Sequence, residues 1–171
     1  LLTFTEEHLI LEISMSSFSD DTPTGLLGEK LLQKGTGKDF SEKDTSELLS
    51  DCDVVGLYFS AHWCPPCRKF TPELSTRYQK LKEAGKKIEI VFVSSDSDEG
   101  SFKEYYGESM SFLALPYDER DRKEELSDKF GVSGIPTLVF LDGKTGKLIT
   151  DEGRKAISAS DYVEAFPYAP F

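Results

Sequence analysis

The stretch Val54-Val55-Gly56-Leu57-Tyr58-Phe59-Ser60-Ala61-His62-Trp63-Cys64-Pro65-Pro66-Cys67 decides how this chain is read. Its first part is a short, nearly continuous apolar run. That is the pattern of a strand buried on both faces of a sheet. Beyond Cys67, the residues Phe70, Leu74, Tyr78 and Leu81 recur at helical spacing and form one apolar stripe, and Gly85 supplies a stop. The two cysteines therefore sit where a buried strand hands over to an amphipathic helix.

That position carries chemistry. Two cysteines three apart on a first helical turn come within disulfide reach. A helix N-terminus offers unpaired N–H groups and the positive end of the helix dipole. Both favour a thiolate at the first position, so Cys64 is expected to ionise below the ordinary cysteine range. Cys67 lies deeper in the helix and is expected to be shielded. Cys64 is thus the candidate nucleophile toward a disulfide, and Cys67 the candidate that resolves the mixed disulfide. Pro65 and Pro66 suit the first turn, because proline lacks an N–H and has a preset φ. Pro65 also holds Cys64 in extended geometry.

A lone Cys-x-x-Cys can also be half of a zinc site. Four ligands are required, however, and His62 is the sole additional candidate nearby, so no metal is expected. His62 reads as a solvent-facing loop residue. Cys52 has no close partner and reads as an inert, half-buried thiol.

Working outward, Ile88–Val93 and Thr137–Leu141 are further apolar runs of strand length. Glu99–Tyr106 and Lys123–Phe130 are helix candidates. The turn 142–146 joins Thr137–Leu141 to Lys147–Thr150 as a hairpin. Leu26–Lys34 reads as a first strand. Ser41–Leu49 reads as a helix with Ser41 as its N-cap, and Ser160–Phe166 as a last short helix. The order predicts an α/β domain with three layers: a central mixed sheet with parallel core strands, an antiparallel hairpin edge, and helices on both faces. The domain is expected over residues 25–171. Residues 1–24, rich in Ser, Asp and Thr toward their end, read as a flexible leader or extension.

The net charge is −11, with acidic runs at 96–108 and 118–128 that read as solvated surface. No basic stripe is present, which disfavours nucleic acid as a partner. No apolar stretch is long enough to cross a membrane. Three cysteines are too few for a disulfide framework, and Leu1–Ile13 does not resemble a signal peptide. A cytosolic or nuclear setting is expected.

The segment Tyr58–Pro72 resembles the active-site segment of tryparedoxins and nucleoredoxins within the thioredoxin superfamily. The resemblance continues through Val93-Ser94-Ser95-Asp96, Phe102-Lys103-Glu104-Tyr105-Tyr106, Leu113-Ala114-Leu115-Pro116-Tyr117 and Phe130-Gly131-Val132-Ser133-Gly134-Ile135-Pro136-Thr137-Leu138. It covers roughly residues 26–167. It implies a thioredoxin-like fold and a redox-active Cys64–Cys67 pair with no cofactor. It further implies that Pro136 is a cis proline facing that pair, and that Ile135 offers backbone groups to a substrate strand. Trp63 becomes an apolar docking surface beside the sulfurs, and Pro72 a helix-kinking proline. Arg154 stands where related proteins carry a basic residue, which implies recognition of an anionic partner. Ordinary thioredoxins have a buried aspartate six positions before the first cysteine. Tyr58 stands there in this chain, and a phenol is neutral at pH 7.

Two functions compete on this reading. The first is a monomeric thiol–disulfide oxidoreductase that reduces disulfide-bearing partners, such as peroxiredoxins or signalling proteins. A low-molecular-weight dithiol or a reductase would supply its electrons. The second is a redox-sensitive binding module of nucleoredoxin type, in which the pair gates binding with little turnover.

Overall fold

Residues 20–168 are described by a computed structural model. The central strand is β3 (Val54–Ser60), every residue of which is buried. Its side chains alternate between faces, as a pleated strand requires. Val54 and Tyr58 enter one apolar layer, and Val55, Leu57 and Phe59 enter the other. The parallel neighbour β4 (Ile88–Ser94) divides in the same way, with Ile90 and Phe92 on the first side and Val91 and Val93 on the second.

In chain order the elements are α1 (Pro23–Leu27), β1 (Lys30–Lys34), β2 (Phe40–Asp44), α2 (Thr45–Leu49), β3, α3 (Pro65–Glu83), β4, α4 (Glu99–Ser109), β5 (Leu113–Ala114), α5 (Arg120–Lys129), β6 (Thr137–Asp142), β7 (Leu148–Thr150) and α6 (Gly153–Ser158). The seven strands form one sheet in the order β2-β1-β5-β4-β3-β6-β7. β3, β4 and β5 run parallel, and β6 and β7 add an antiparallel hairpin edge beside β3. Helices α3, α4 and α6 cover the face of Tyr58 and Phe92, and α1, α2 and α5 cover the other. The three-layer mixed architecture expected from the pattern is what is found.

Three local expectations are corrected. The segment 26–34 is not one strand: it contains the end of α1 and then β1. Thr22 caps α1 by accepting from the Gly25 N–H, Pro23 fills the first helical turn, and Gly28 (φ 80°) breaks the helix where a side chain would be strained. The helix expected over Ser41–Leu49 is strand β2 followed by the short α2, capped at Asp44 rather than Ser41. Pairing of Phe40–Asp44 with Lys34–Lys30 outweighs the local helix signals. The last helix lies at Gly153–Ser158 rather than Ser160–Phe166. A β-carbon on Gly153 would stand 2.5 Å from the Leu138 carbonyl oxygen, so glycine lets α6 press onto β6. Pro23 and Gly25 of α1 are buried. The rest of the expected leader, residues 1–19, lies outside the described residues.

Candidate active site

β3 and β4 end side by side, and both chains leave the sheet at the same edge. From β3 the chain passes through Ala61, His62 and Trp63 to Cys64, which is the N-cap of α3 with extended backbone (φ −94°, ψ 108°). Pro65 and Pro66 open the helix and are exposed. Cys64 and Cys67 are joined as a disulfide, with Cα atoms 5.2 Å apart. The Cys67 backbone N–H points at Cys64 Sγ, 3.3 Å away. This is one of the orphan donors of the helix start, and it is aimed at the first sulfur. Cys64 is 4% exposed and Cys67 is fully enclosed.

The loop before β6 closes the other side. Cys64 Sγ lies 3.9 Å from the Ile135 carbonyl oxygen, and Ile135 packs on the cluster of Ala61, Cys64 and Cys67. The Ile135–Pro136 peptide is cis. Trp63 is 61% exposed, the most exposed large apolar side chain among the described residues. Its ring is nevertheless tethered, because Nε1–H donates to the Ser95 carbonyl at 3.0 Å. Arg154 Nη1–H donates to the Pro136 carbonyl at 3.2 Å, and its guanidinium lies 5.1 Å from the Phe70 ring centre. It borders an open groove of about 550 Å³ that also touches Pro66, Lys69 and Lys155. The structure thus brings together Trp63, Cys64, Pro65, Pro66, Cys67, Ile135, Pro136 and Arg154 around one disulfide.

Several contributors escaped the sequence reading. Asp96 belongs to an acidic run taken as solvated surface, yet it is 5% exposed. Its carboxylate accepts from the His62 N–H at 2.7 Å and from Ser94 Oγ–H at 2.8 Å, so it pins the loop that carries Trp63 and Cys64. Arg120 supports the same strip by donating to the Ser94 carbonyl at 2.9 Å. His62 is not a free loop residue: its ring stacks on Tyr105, with centroids 5.5 Å apart. Beneath the pair, Thr71 Oγ1 contacts the Cys67 carbonyl, Tyr58 and Tyr105, and Tyr105 contacts Ser60. Burial pushes the Tyr58 phenol well above its ordinary range. Tyr58 is therefore a neutral donor and acceptor there. Cys52 lies before the start of β3, at the far end of that strand, 5% exposed. Burial, reinforced by the Glu89 charge, pushes its thiol up to about 11. Among the described residues no cluster of His, Cys, Asp or Glu could hold a metal ion, and no helix is long and apolar enough to cross a membrane.

The site is thus a strand–CxxC–helix handover facing a cis-proline loop across the disulfide. The thioredoxin-like family model matches residues 51–148. The chain belongs to the thioredoxin-like family, on its tryparedoxin and nucleoredoxin side. It is 44% identical to a tryparedoxin of Trypanosoma brucei brucei over 115 residues, 67% of this chain and 78% of that protein. It is 49% identical to the nucleoredoxin of Bos taurus over 116 residues, 68% of this chain but 26% of that longer protein. Among solved structures, tryparedoxin II from C. fasciculata superposes with a TM-score of 0.73 at 32% identity, covering 88% of this chain and 97% of that one. Another tryparedoxin II was solved in complex with glutathionylspermidine (TM-score 0.72, 34% identity, covering 83% of this chain and 93% of that one). This is a family of thiol oxidoreductases, and the thioredoxin-like pair in this chain is Cys64–Cys67.

Proposed function

We propose that this chain reduces disulfides of partner proteins, of peroxiredoxin or signalling type, through the Cys64–Cys67 dithiol. The observation that carries the reading is the aim of the Cys67 N–H at Cys64 Sγ from the first turn of α3. A donor held there favours the thiolate of the reduced protein and the sulfur as leaving group. In the reaction, Cys64 thiolate attacks a substrate disulfide and expels one thiolate. Cys67 then attacks Cys64 Sγ and expels the second. The partner gains two electrons and the chain becomes the disulfide. Trp63, Pro65 and Pro66 form the docking surface on one side, and Ile135 and Pro136 on the other. Arg154 serves an anionic portion of the partner.

A low-molecular-weight dithiol or a reductase returns the electrons. The glutathionylspermidine complex of a tryparedoxin supports a low-molecular-weight thiol as the electron source, since a relative binds such a molecule. The test is insulin reduction by the chain, driven in parallel by trypanothione, glutathione and thioredoxin reductase. Catalysed turnover with at least one donor is expected. Absence of turnover with every donor, including dithiothreitol, would favour the redox-sensitive binding module instead.

A further inference from the structure

Four hydroxyls lie under the redox pair, on Tyr58, Ser60, Thr71 and Tyr105, and all are 0–2% exposed. They make four contacts: Thr71 Oγ1 to the Cys67 carbonyl at 2.9 Å, Tyr58 to Thr71 at 2.8 Å, Tyr105 to Thr71 at 2.5 Å, and Ser60 to Tyr105 at 3.0 Å. Each hydroxyl has one hydrogen to give. A carbonyl can only accept, so the Thr71 hydrogen goes to Cys67. Both phenols must then donate to Thr71 Oγ1, filling its two lone pairs. Tyr105, having spent its hydrogen, must accept from Ser60. One arrangement alone satisfies all four contacts. Every O–H in it is directed along a path that ends at the backbone of Cys67.

This directionality has an electrostatic consequence. The Thr71 hydrogen neutralises the negative end of the Cys67 peptide, and the donors behind it polarise Thr71 further. A Cys67 thiolate then forms beside a less negative carbonyl. Tyr58 holds the position of the buried carboxylate of ordinary thioredoxins, but its hydrogen is committed to Thr71 and its phenol does not ionise in the working range.

We propose that Thr71 is a positioning residue for the resolving step, acting through the Cys67 carbonyl as the collecting point of a one-way hydroxyl chain. The inference rests on the reductase reading and assigns to Thr71 a role in its second half. In that half-reaction the Cys67 thiolate, its proton already lost to solvent, forms a bond to Cys64 Sγ. The bond from Cys64 to the partner sulfur breaks, and the partner leaves as thiolate.

The two halves separate with 5,5′-dithiobis(2-nitrobenzoate) at one equivalent. The reduced protein releases a first thionitrobenzoate when Cys64 attacks and a second when Cys67 resolves. In Thr71→Val the second release should slow about fivefold at pH 7, the rate equivalent of one hydrogen bond. Its pH profile should move upward. The first release should stay within about twofold. Thr71→Ser, which keeps the hydroxyl, should restore the second release. Equal slowing of both phases, no slowing of the second, or failure of Thr71→Ser to restore it would overturn the inference. Should Thr71→Val not fold, Tyr105→Phe decides, since it keeps the bond to Cys67 but removes the donor behind it. A slower second phase there supports the chain, and an unchanged one overturns it. A wild-type protein that released only the first equivalent would instead overturn the reductase reading, and this inference with it.

Discussion

Cys64 and Cys52 lie beyond opposite ends of the same strand, β3, and are almost equally exposed, at 4% and 5%. Their chemistry differs all the same. Cys64 sits at a helix N-terminus and has a backbone N–H on its sulfur. The Cys52 sulfur faces the Leu48 carbonyl at 4.0 Å, and the Glu89 charge adds to the cost of ionising it. Each sulfur has a carbonyl oxygen close by, from Ile135 at 3.9 Å and from Leu48 at 4.0 Å, but only Cys64 also has a helix-start N–H on its sulfur. Similar accessible area therefore does not imply similar thiol chemistry: burial without a donor holds the Cys52 proton, whereas a donor on the Cys64 sulfur favours its thiolate.

The widest gap between the two regions should appear in turnover. Cys64→Ser should lower disulfide reduction by on the order of 10³-fold or more, because no other sulfur can attack. Cys67→Ser should accumulate partner proteins bound through Cys64, visible on non-reducing gels. Cys52→Ala should leave turnover within about twofold, since its sulfur takes part in neither half-reaction. Insulin reduction on the three variants measures this, and a large loss in Cys52→Ala would erase the contrast.

How far this contrast could be read in advance depends on range. The strands Val54–Ser60, Ile88–Ser94 and Thr137–Asp142 were legible because burial on both faces leaves runs of apolar residues. The pair Cys64–Cys67 was legible because its spacing, prolines and handover from strand to helix are local. The β1–β2 hairpin was not. β2 is Phe-Ser-Glu-Lys-Asp, largely exposed at the sheet edge, and only its partner strand makes it extended. Asp96 was misread as surface, since an acidic run looks alike whether or not one of its carboxylates turns inward to the His62 N–H. Thr71, Tyr105 and Ser60 come from three separate elements. Their convergence is a product of the packed sheet and helices, and no local pattern carries it.

A finer comparison uses alkylation of the reduced, folded protein. With its thiol pushed up to about 11, Cys52 is ionised to about one part in a thousand at pH 8. Cys64, at a helix N-terminus with an N–H on its sulfur, is expected to be substantially thiolate at the same pH. Iodoacetamide under native conditions should therefore modify Cys64 at least about 100-fold faster than Cys52. Mass mapping of labelled peptides reads the ratio. Similar rates would mean that the helix terminus and the buried pocket do not set the two thiols apart.

The smallest effect is on stability, and it isolates the Cys52 end. A thiol whose pKa is raised by folding keeps its proton in the native state while the unfolded chain loses it. Above the unfolded value of about 8.5, the native state therefore binds more protons than the unfolded one, and stability falls as pH rises. The contribution of Cys52 is fully present below about pH 8.5 and is lost progressively as the pH climbs toward about 11. In the oxidised protein Cys64 and Cys67 do not titrate, so they cannot obscure the effect. Tyr78, which the Cys52 charge helps to push up, keeps its proton throughout this range, and the other tyrosines and lysines are common to wild type and Cys52→Ala, so the difference between the two isolates this thiol. Urea unfolding at pH 7.5, 8.5, 9.2 and 10 should show the wild type losing about 1 kcal/mol more than Cys52→Ala over the upper part of that range. The variant will start from a lower stability because a buried sulfur is gone, and its pH slope is the quantity of interest. Parallel slopes would show that burial does not hold the Cys52 proton. The two ends of β3 would then differ less than their surroundings imply.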